Sequence, residues 1–198
     1  ILFLISGLIC FAYGQDNEDC FDCHSDPEIV TEPDVHRAGL FVDGSVLEKS
    51  IHRDMACVEC HADIDVDDLP HEEKLKAVFC GDCHEDEQTD YDVAAHGQAK
   101  AHNLRYAPDC AECHGMHDIL PTRNPKSPSF KMNIPFLCGK CHREGAPVAR
   151  VYNITEHNIL SNYSQSIHGE GLFKKGLSVT AACVCLLYTS DAADELLG

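Results

Sequence analysis

Tryptophan is absent from the 198 residues, methionine occurs three times, and 15 Lys and Arg stand against 33 Asp and Glu. The formal charge of −18 argues against nucleic acid, whose phosphates call for Lys and Arg. It suits either a chain that meets partners through charged patches or one that is simply well solvated. Long apolar runs are also missing beyond the first ten residues, so no stretch is long enough to span a bilayer. Large aliphatic and aromatic residues are scattered without sustained periodicity. Side-chain packing alone is therefore a poor candidate for what holds the chain together.

The two ends read differently from the middle. Residues 1–10, ILFLISGLIC, have the length of a signal-peptide apolar region, and Ala12-Tyr13-Gly14 offers small residues for cleavage before Gln15. Residues 1–14 are accordingly expected to be a signal peptide, clipped at its start, and the mature chain to be periplasmic or otherwise extracytoplasmic. Cys10 follows Ile9 rather than a small residue, so it is read as part of the leader and not as a lipid anchor. The stretch CLLYTSDAADE from Cys185 resembles a translated sequencing adapter. Residues 185–198 are thus read as artefact, with native sequence expected to reach about Val184. Leaving out Asp191, Asp194 and Glu195 moves the charge from −18 to −15, so the acidity persists.

Against these absences stand 13 Cys and 13 His. Ten of the Cys fall into five identical frames: Cys20-Phe21-Asp22-Cys23-His24, Cys57-Val58-Glu59-Cys60-His61, Cys80-Gly81-Asp82-Cys83-His84, Cys110-Ala111-Glu112-Cys113-His114 and Cys138-Gly139-Lys140-Cys141-His142. Each is C-x-x-C-H, the attachment frame of haem c. Two thiols three positions apart reach the vinyl groups on one porphyrin edge, and the next residue sets an imidazole beneath the iron. Zinc knuckles would come in pairs. A thioredoxin-like motif would occur once, beside a βαβ pattern. A disulfide framework explains neither the fixed spacing nor the five adjacent His. Cys183 sits in a context parallel to that of Cys110 and is read as the first thiol of a sixth frame. Haem c is therefore the expected cofactor, five in these residues and a sixth in the intact protein.

Five His are spent as proximal ligands: His24, His61, His84, His114 and His142. Eight remain, enough to close every iron with a second imidazole. Met55, Met116 and Met132 are too few to do so. Ser50-Ile51-His52, Ala94-Ala95-His96-Gly97 and Ser166-Ile167-His168-Gly169 look like copies of one element. Each is expected to end a short helical stretch, and each precedes a frame or frame start by five, fourteen or fifteen residues. Small residues beside the imidazole let a flat porphyrin approach the backbone. His117, three residues past a proximal His, and His71, expected to open a helical segment leading to Cys80, complete the main distal set. His36, His102 and His157 are weaker candidates.

Residues 15–184 carry five frames in 170 residues, one per 34. At that density the porphyrins are expected to form most of the interior. The expected fold is mainly α with extensive irregular loops, a haem-packed core and helices over 85–102 and 154–173. The Pro-rich stretch 121–128 reads as a loop. Frame His residues lie 37, 23, 30 and 28 apart, too irregular for a solenoid, and no composition shift marks a domain boundary.

These residues carry a resemblance. The chain resembles bacterial multihaem c-type cytochromes with the pattern S-[IV]-H-G followed by C-x-x-C-H-G-x-H-D-I. Here that pattern stands as His96-Gly97 and Cys110-Ala111-Glu112-Cys113-His114-Gly115-Met116-His117-Asp118-Ile119. Pro70-His71-Glu72-Glu73-Lys74-Leu75-Lys76 and Asn133-Ile134-Pro135-Phe136-Leu137-Cys138 are similar to that group as well. The likeness covers roughly residues 19–184; at His52 it departs, with Arg53 in place of Gly. It implies an extracytoplasmic electron relay with redox donor and acceptor proteins, and a membrane quinol or b-type cytochrome as a possible partner. The rival is a multihaem reductase of a nitrogen or sulfur oxyanion, which needs an iron with an open position. The C-x-x-C-K frame of ammonia-forming nitrite reductases is absent, and spare His are sufficient to close each iron.

Overall fold

The computed structural model describes residues 17–30, 40–72, 74–152 and 158–187. The expected leader, most of the adapter-like tail, His36 and His157 lie outside them. The described chain is mainly helical, in short pieces, and shows no strand among the described residues. None of these helices is long and apolar enough to cross a membrane. Although composition marks no boundary, the chain divides into two compact units. One holds the residues up to Gly44 together with 54–78; the other holds 45–53 and the residues from Phe79 onward.

In the first unit, α1 (Glu18–His24) begins with Glu18 and Asp19, placed to favour the positive end of its dipole. Asn17, just before α1, grips the segment that starts the next frame. Its amide nitrogen donates to the Met55 carbonyl at 3.1 Å, and its oxygen accepts from the Cys57 N–H at 2.8 Å. One side chain therefore ties the start of α1 to the helix that opens at Cys57. The first unit also holds α3 (Cys57–Cys60); between these two in sequence, α2 (Gly44–Leu47) starts at Gly44 and otherwise belongs to the second unit. The expected helical segment opened by His71 is not formed: the described residues between His71 and Phe79 are non-helical. Pro70 fixes the backbone before His71, and the charged residues after it have no apolar face to bury.

The second unit contains α4 (Glu85–Val93), α5 (Ala95–Ala101), α6 (Cys110–His114), α7 (Ile134–Gly139), α8 (Pro147–Val151), α9 (Ile159–Gln165), α10 (Ile167–Lys175) and α11 (Cys183–Leu187). Each of the two long helices expected here is broken in two. The breaks fall at Ala94 and Ser166, both extended with ψ 161°. His96 and His168 consequently sit in the first turn of a helix and do not end one. The Pro-rich stretch is a run of turns, pinned by Asn133, whose amide donates to the carbonyls of Pro125 and Ser127 at 2.9 and 2.8 Å.

The side-chain core is small. Tyr163, Leu172 and Cys183 form its buried centre, with Met132, Ile134, Cys138 and Phe173 packed around them. Outside it, large apolar side chains stay in solvent: Ile167 is 82% exposed, Val93 73% and Phe136 55%.

Candidate functional site

Every frame is a single helical turn. The first lies in α1 and the fourth in α6; Cys57–Cys60 is α3, Cys80–Asp82 is a 3₁₀ turn, and Cys138 lies in α7. The His61, His84 and His142 N–H groups donate to the carbonyls of Cys57, Cys80 and Cys138 at 2.9, 3.0 and 2.9 Å. The turn thus brings residues i, i+3 and i+4, two thiols and an imidazole, onto one face. All twelve described Cys are free thiols.

Two frames are capped by a residue within them. Glu59 accepts from the Ala56 N–H at 2.6 Å, and Glu112 accepts from the Asp109 N–H at 2.7 Å. Asp109 itself accepts from the Ala111 N–H at 3.0 Å and holds Lys100 at 2.9 Å. The Glu112 hydrogen bond and then the Lys100 ammonium lower the Asp109 carboxyl below its ordinary 3.8. Two of the "x" residues in C-x-x-C-H are therefore helix caps, satisfying N–H groups that a four- or five-residue helix leaves open.

Three imidazole pairs stand among the described residues, and each joins a frame His with a His outside the frames. His24 and His71 lie with ring centres 5.9 Å apart and planes within 3°. His84 and His52 are 6.0 Å apart at 65°. His142 and His96 are 5.9 Å apart at 36°. Sequence spacing does not reveal this matching. His52 passes over the nearby frame at Cys57 to meet the third, and His96 passes over Cys110 to meet the fifth. His71 reaches back past Cys57 to the first.

The second ring nitrogen of several of these imidazoles is held. His24 Nδ1 donates to the Leu40 carbonyl at 2.6 Å, and His71 Nδ1 donates to the Glu72 carbonyl at 2.8 Å. His84 Nδ1 lies 3.7 Å from Glu87, and His114 Nδ1 lies 3.4 Å from the Ser129 hydroxyl. A backbone carbonyl can only accept, so Nδ1 of His24 and of His71 donates, which leaves Nε2 as the nitrogen that could ligate a metal. Partial burial lowers the pKa of both His96 and His142, and the facing His142 adds to the effect on His96. Both shifts favour the neutral imidazole, the form that binds a metal.

Thiols of different frames also meet. Burial and the neighbouring Cys20 thiol push Cys57 up to about 11. Burial and the Cys80 thiol raise Cys110. A hydrogen bond with Cys138 lowers buried Cys183 to about 7, while the same contact raises Cys138. His117 is half-buried in the turn after α6, His168 occupies the second position of α10, and His102 is exposed at the end of α5.

Two tyrosines escaped the sequence reading. Tyr91 donates from its hydroxyl to the Pro108 carbonyl at 2.6 Å, and Tyr163 donates to the Ala181 carbonyl at 2.9 Å. Both stand five residues before an element His, a repeated spacing that was legible. No three His, Cys, Asp or Glu side chains converge as a ligand set for a bare ion among the described residues. No family model matches this chain, and neither a curated protein nor a solved structure does.

Proposed function

We propose that this chain is an extracytoplasmic electron carrier that binds haem c at its five C-x-x-C-H frames. The observation carrying the proposal is the set of three mixed imidazole pairs. Two imidazoles bound at about 2.0 Å on opposite faces of one metal have ring centres about 6 Å apart. The measured 5.9, 6.0 and 5.9 Å fit that span. A structural zinc would take four protein ligands, whereas a porphyrin supplies four of its own and asks the chain for two.

In this reading Cys20/Cys23, Cys57/Cys60, Cys80/Cys83, Cys110/Cys113 and Cys138/Cys141 anchor the groups covalently. His24, His61, His84, His114 and His142 would ligate their irons, with His71, His52 and His96 as the second protein ligands at the first, third and fifth frames. Haem bound with two imidazoles supplies reversible one-electron chemistry at low potential. The Leu40 and Glu72 carbonyls orient the rings of His24 and His71, and Glu87 lies beside that of His84. The apolar side chains now in solvent, Phe136 and Ile167 among them, would gain a flat apolar neighbour. The acidic surface suits docking to redox partner proteins, a membrane quinol or b-type cytochrome included. The reductase alternative needs an iron without a second protein ligand, and the three pairs weigh against it at three of the five frames.

The test is expression with c-type maturation machinery. Intact mass should rise by five covalent haems, and the oxidised spectrum should be low-spin at the three paired sites. Haem that leaves in acidified acetone, or a mass matching zinc, would overturn the proposal. An open, high-spin iron at any of the three paired frames would do the same.

A further inference from the structure

The five frames differ in one respect that bears on what they meet. The residue before the second Cys is Asp22, Glu59, Asp82 and Glu112 in the first four, and Lys140 in the fifth. The residue after the frame His continues the contrast: Ser25, Ala62, Glu85 and Gly115 against Arg143. Local structure explains why the fifth frame can do without a carboxylate. Glu59 and Glu112 accept N–H groups ahead of their own turns, whereas α7 begins at Ile134, so the fifth frame continues a helix already started and needs no cap. Lys140, Arg143 and Arg150 are all exposed. The Arg150 guanidinium donates to the Gly145 carbonyl at 2.6 Å, which carries the charge of α8 back to the turn that follows His142. Among the described residues the ion pairs lie elsewhere, at Glu87, Asp109 and Glu170. Glu144 is the one carboxylate between Asp118 and Glu156. The contrast extends along the chain: residues 15–122 hold 7 Lys and Arg against 27 Asp and Glu, while residues 123–184 hold 8 against 3.

Surface charges are screened within about 8 Å at physiological salt. A partner therefore responds to the patch it faces more than to the charge of the whole chain. An acidic protein meets a carboxylate within the frame at the first four sites and three cations at the fifth. His96 stands opposite His142, so under the haem c reading the iron there has two imidazoles and no position left for a ligand. An electron crossing the porphyrin edge needs no such position. Cys141 is exposed, which sets one anchoring point of that group at the surface, next to Lys140. We propose that the fifth frame is the port at which this chain exchanges single electrons with an acidic redox protein, docked on Lys140, Arg143 and Arg150. In the step, ferrous iron gives one electron to the oxidised partner, or ferric iron takes one from the reduced partner; no bond is made and no proton moves. This rests on the haem c reading of Proposed function, and adds the sign of the partner's surface and the place where it docks.

The experiment mixes the oxidised, haem-loaded 198-residue protein with a reduced plant-type ferredoxin, an acidic one-electron protein, in a stopped-flow instrument. A small basic cytochrome c, reduced by the same chain, is the control of opposite charge. The ferredoxin rate should fall as salt is raised. Lys140→Glu, Arg143→Glu and Arg150→Gln together should cut it on the order of tenfold at low salt and remove its salt dependence. Lys140→Arg should keep it, and Lys174→Glu with Lys175→Glu should leave it nearly unchanged. Transfer to the basic cytochrome should be equal or faster in the triple variant. A carbodiimide should join a ferredoxin carboxylate to Lys140 and not to Lys174 or Lys175. Haem content and spin state are checked first, and the three single variants are measured alongside, so a triple variant that misfolds still leaves the single rates and the crosslink to decide. A ferredoxin rate that ignores the three substitutions or rises with salt overturns the proposal, as does a crosslink confined to the lysines of α10. A crosslink from Lys140 to an Asp or Glu of a second copy of this chain, lost on dilution, would make the chain its own occupant and overturn it too. The haemochrome assay separates these failures from that of the parent reading: no covalent haem at all sinks the haem c proposal itself, whereas haem present with an unaffected rate sinks only the port.

Discussion

The rings of His24 and His71 lie 3° from parallel with centres 5.9 Å apart, and each turns its Nδ1 onto a backbone carbonyl. The two residues are 47 positions apart, yet protonation and orientation are set alike. Each ring is therefore oriented by a group that can only accept. His71→Ala should open one iron, seen as a new high-spin signal and carbon monoxide binding in the loaded protein. His71→Met should keep it closed and raise its potential. An unchanged spectrum in His71→Ala would show that the pair does not share a metal.

Asp109 caps α6 and holds Lys100, so Asp109→Ala should cost about 1 kcal/mol, the usual loss of an N-cap, while Asp109→Asn should cost less. The Asp109 carboxyl is lowered below 3.8 in the fold. A depressed carboxyl contributes stability that is present above the unfolded value and is lost as pH falls through the folded value. The difference between wild type and Asp109→Ala in urea unfolding should thus be full at pH 7 and shrink below pH about 3.8. A gap that grows on acidification would contradict the assignment.

Gly97→Ala and Gly169→Ala each drive a methyl into a tyrosine carbonyl, an overpacking that costs about 1–3 kcal/mol. Gly44→Ala meets only the Phe21 ring at an ordinary 3.7 Å and should be close to neutral. Equal melting temperatures for the three variants would refute the close backbone approach at both helix breaks.

Removing the Tyr163 hydroxyl leaves the Ala181 carbonyl without that donor. Tyr163→Phe should lower stability by about 1 kcal/mol, and Tyr91→Phe by a similar amount. The two ties share no partner, so the double variant should show the sum of the two losses. Strong non-additivity would mean that the ties are coupled.

The local shape of the frames was open to reading: five residues make one helical turn wherever they fall, so two thiols and an imidazole share a face from spacing alone. The helix breaks at Ala94 and Ser166 were hidden, since Ala is a good helix former and Ser166 becomes a cap only once the chain turns there. The pairing of His52 with His84 and of His96 with His142 was hidden for a different reason. It joins residues 32 and 46 positions apart, a distance that no periodicity encodes. His71 was read as a helix opener, whereas the chain there is non-helical and the His71 ring is oriented by the Glu72 carbonyl.

The contact between Cys138 and Cys183 bears on timing. The hydrogen bond with Cys138 lowers Cys183 and so favours its thiolate, the nucleophilic form, beside a thiol of the fifth frame. Oxidation of the folded, haem-free chain would join those two sulfurs, and under the haem c proposal attachment at Cys138 would then have to come before this contact forms. A haem-free chain allowed to fold in air should carry a Cys138–Cys183 disulfide, detectable by peptide mapping without reductant.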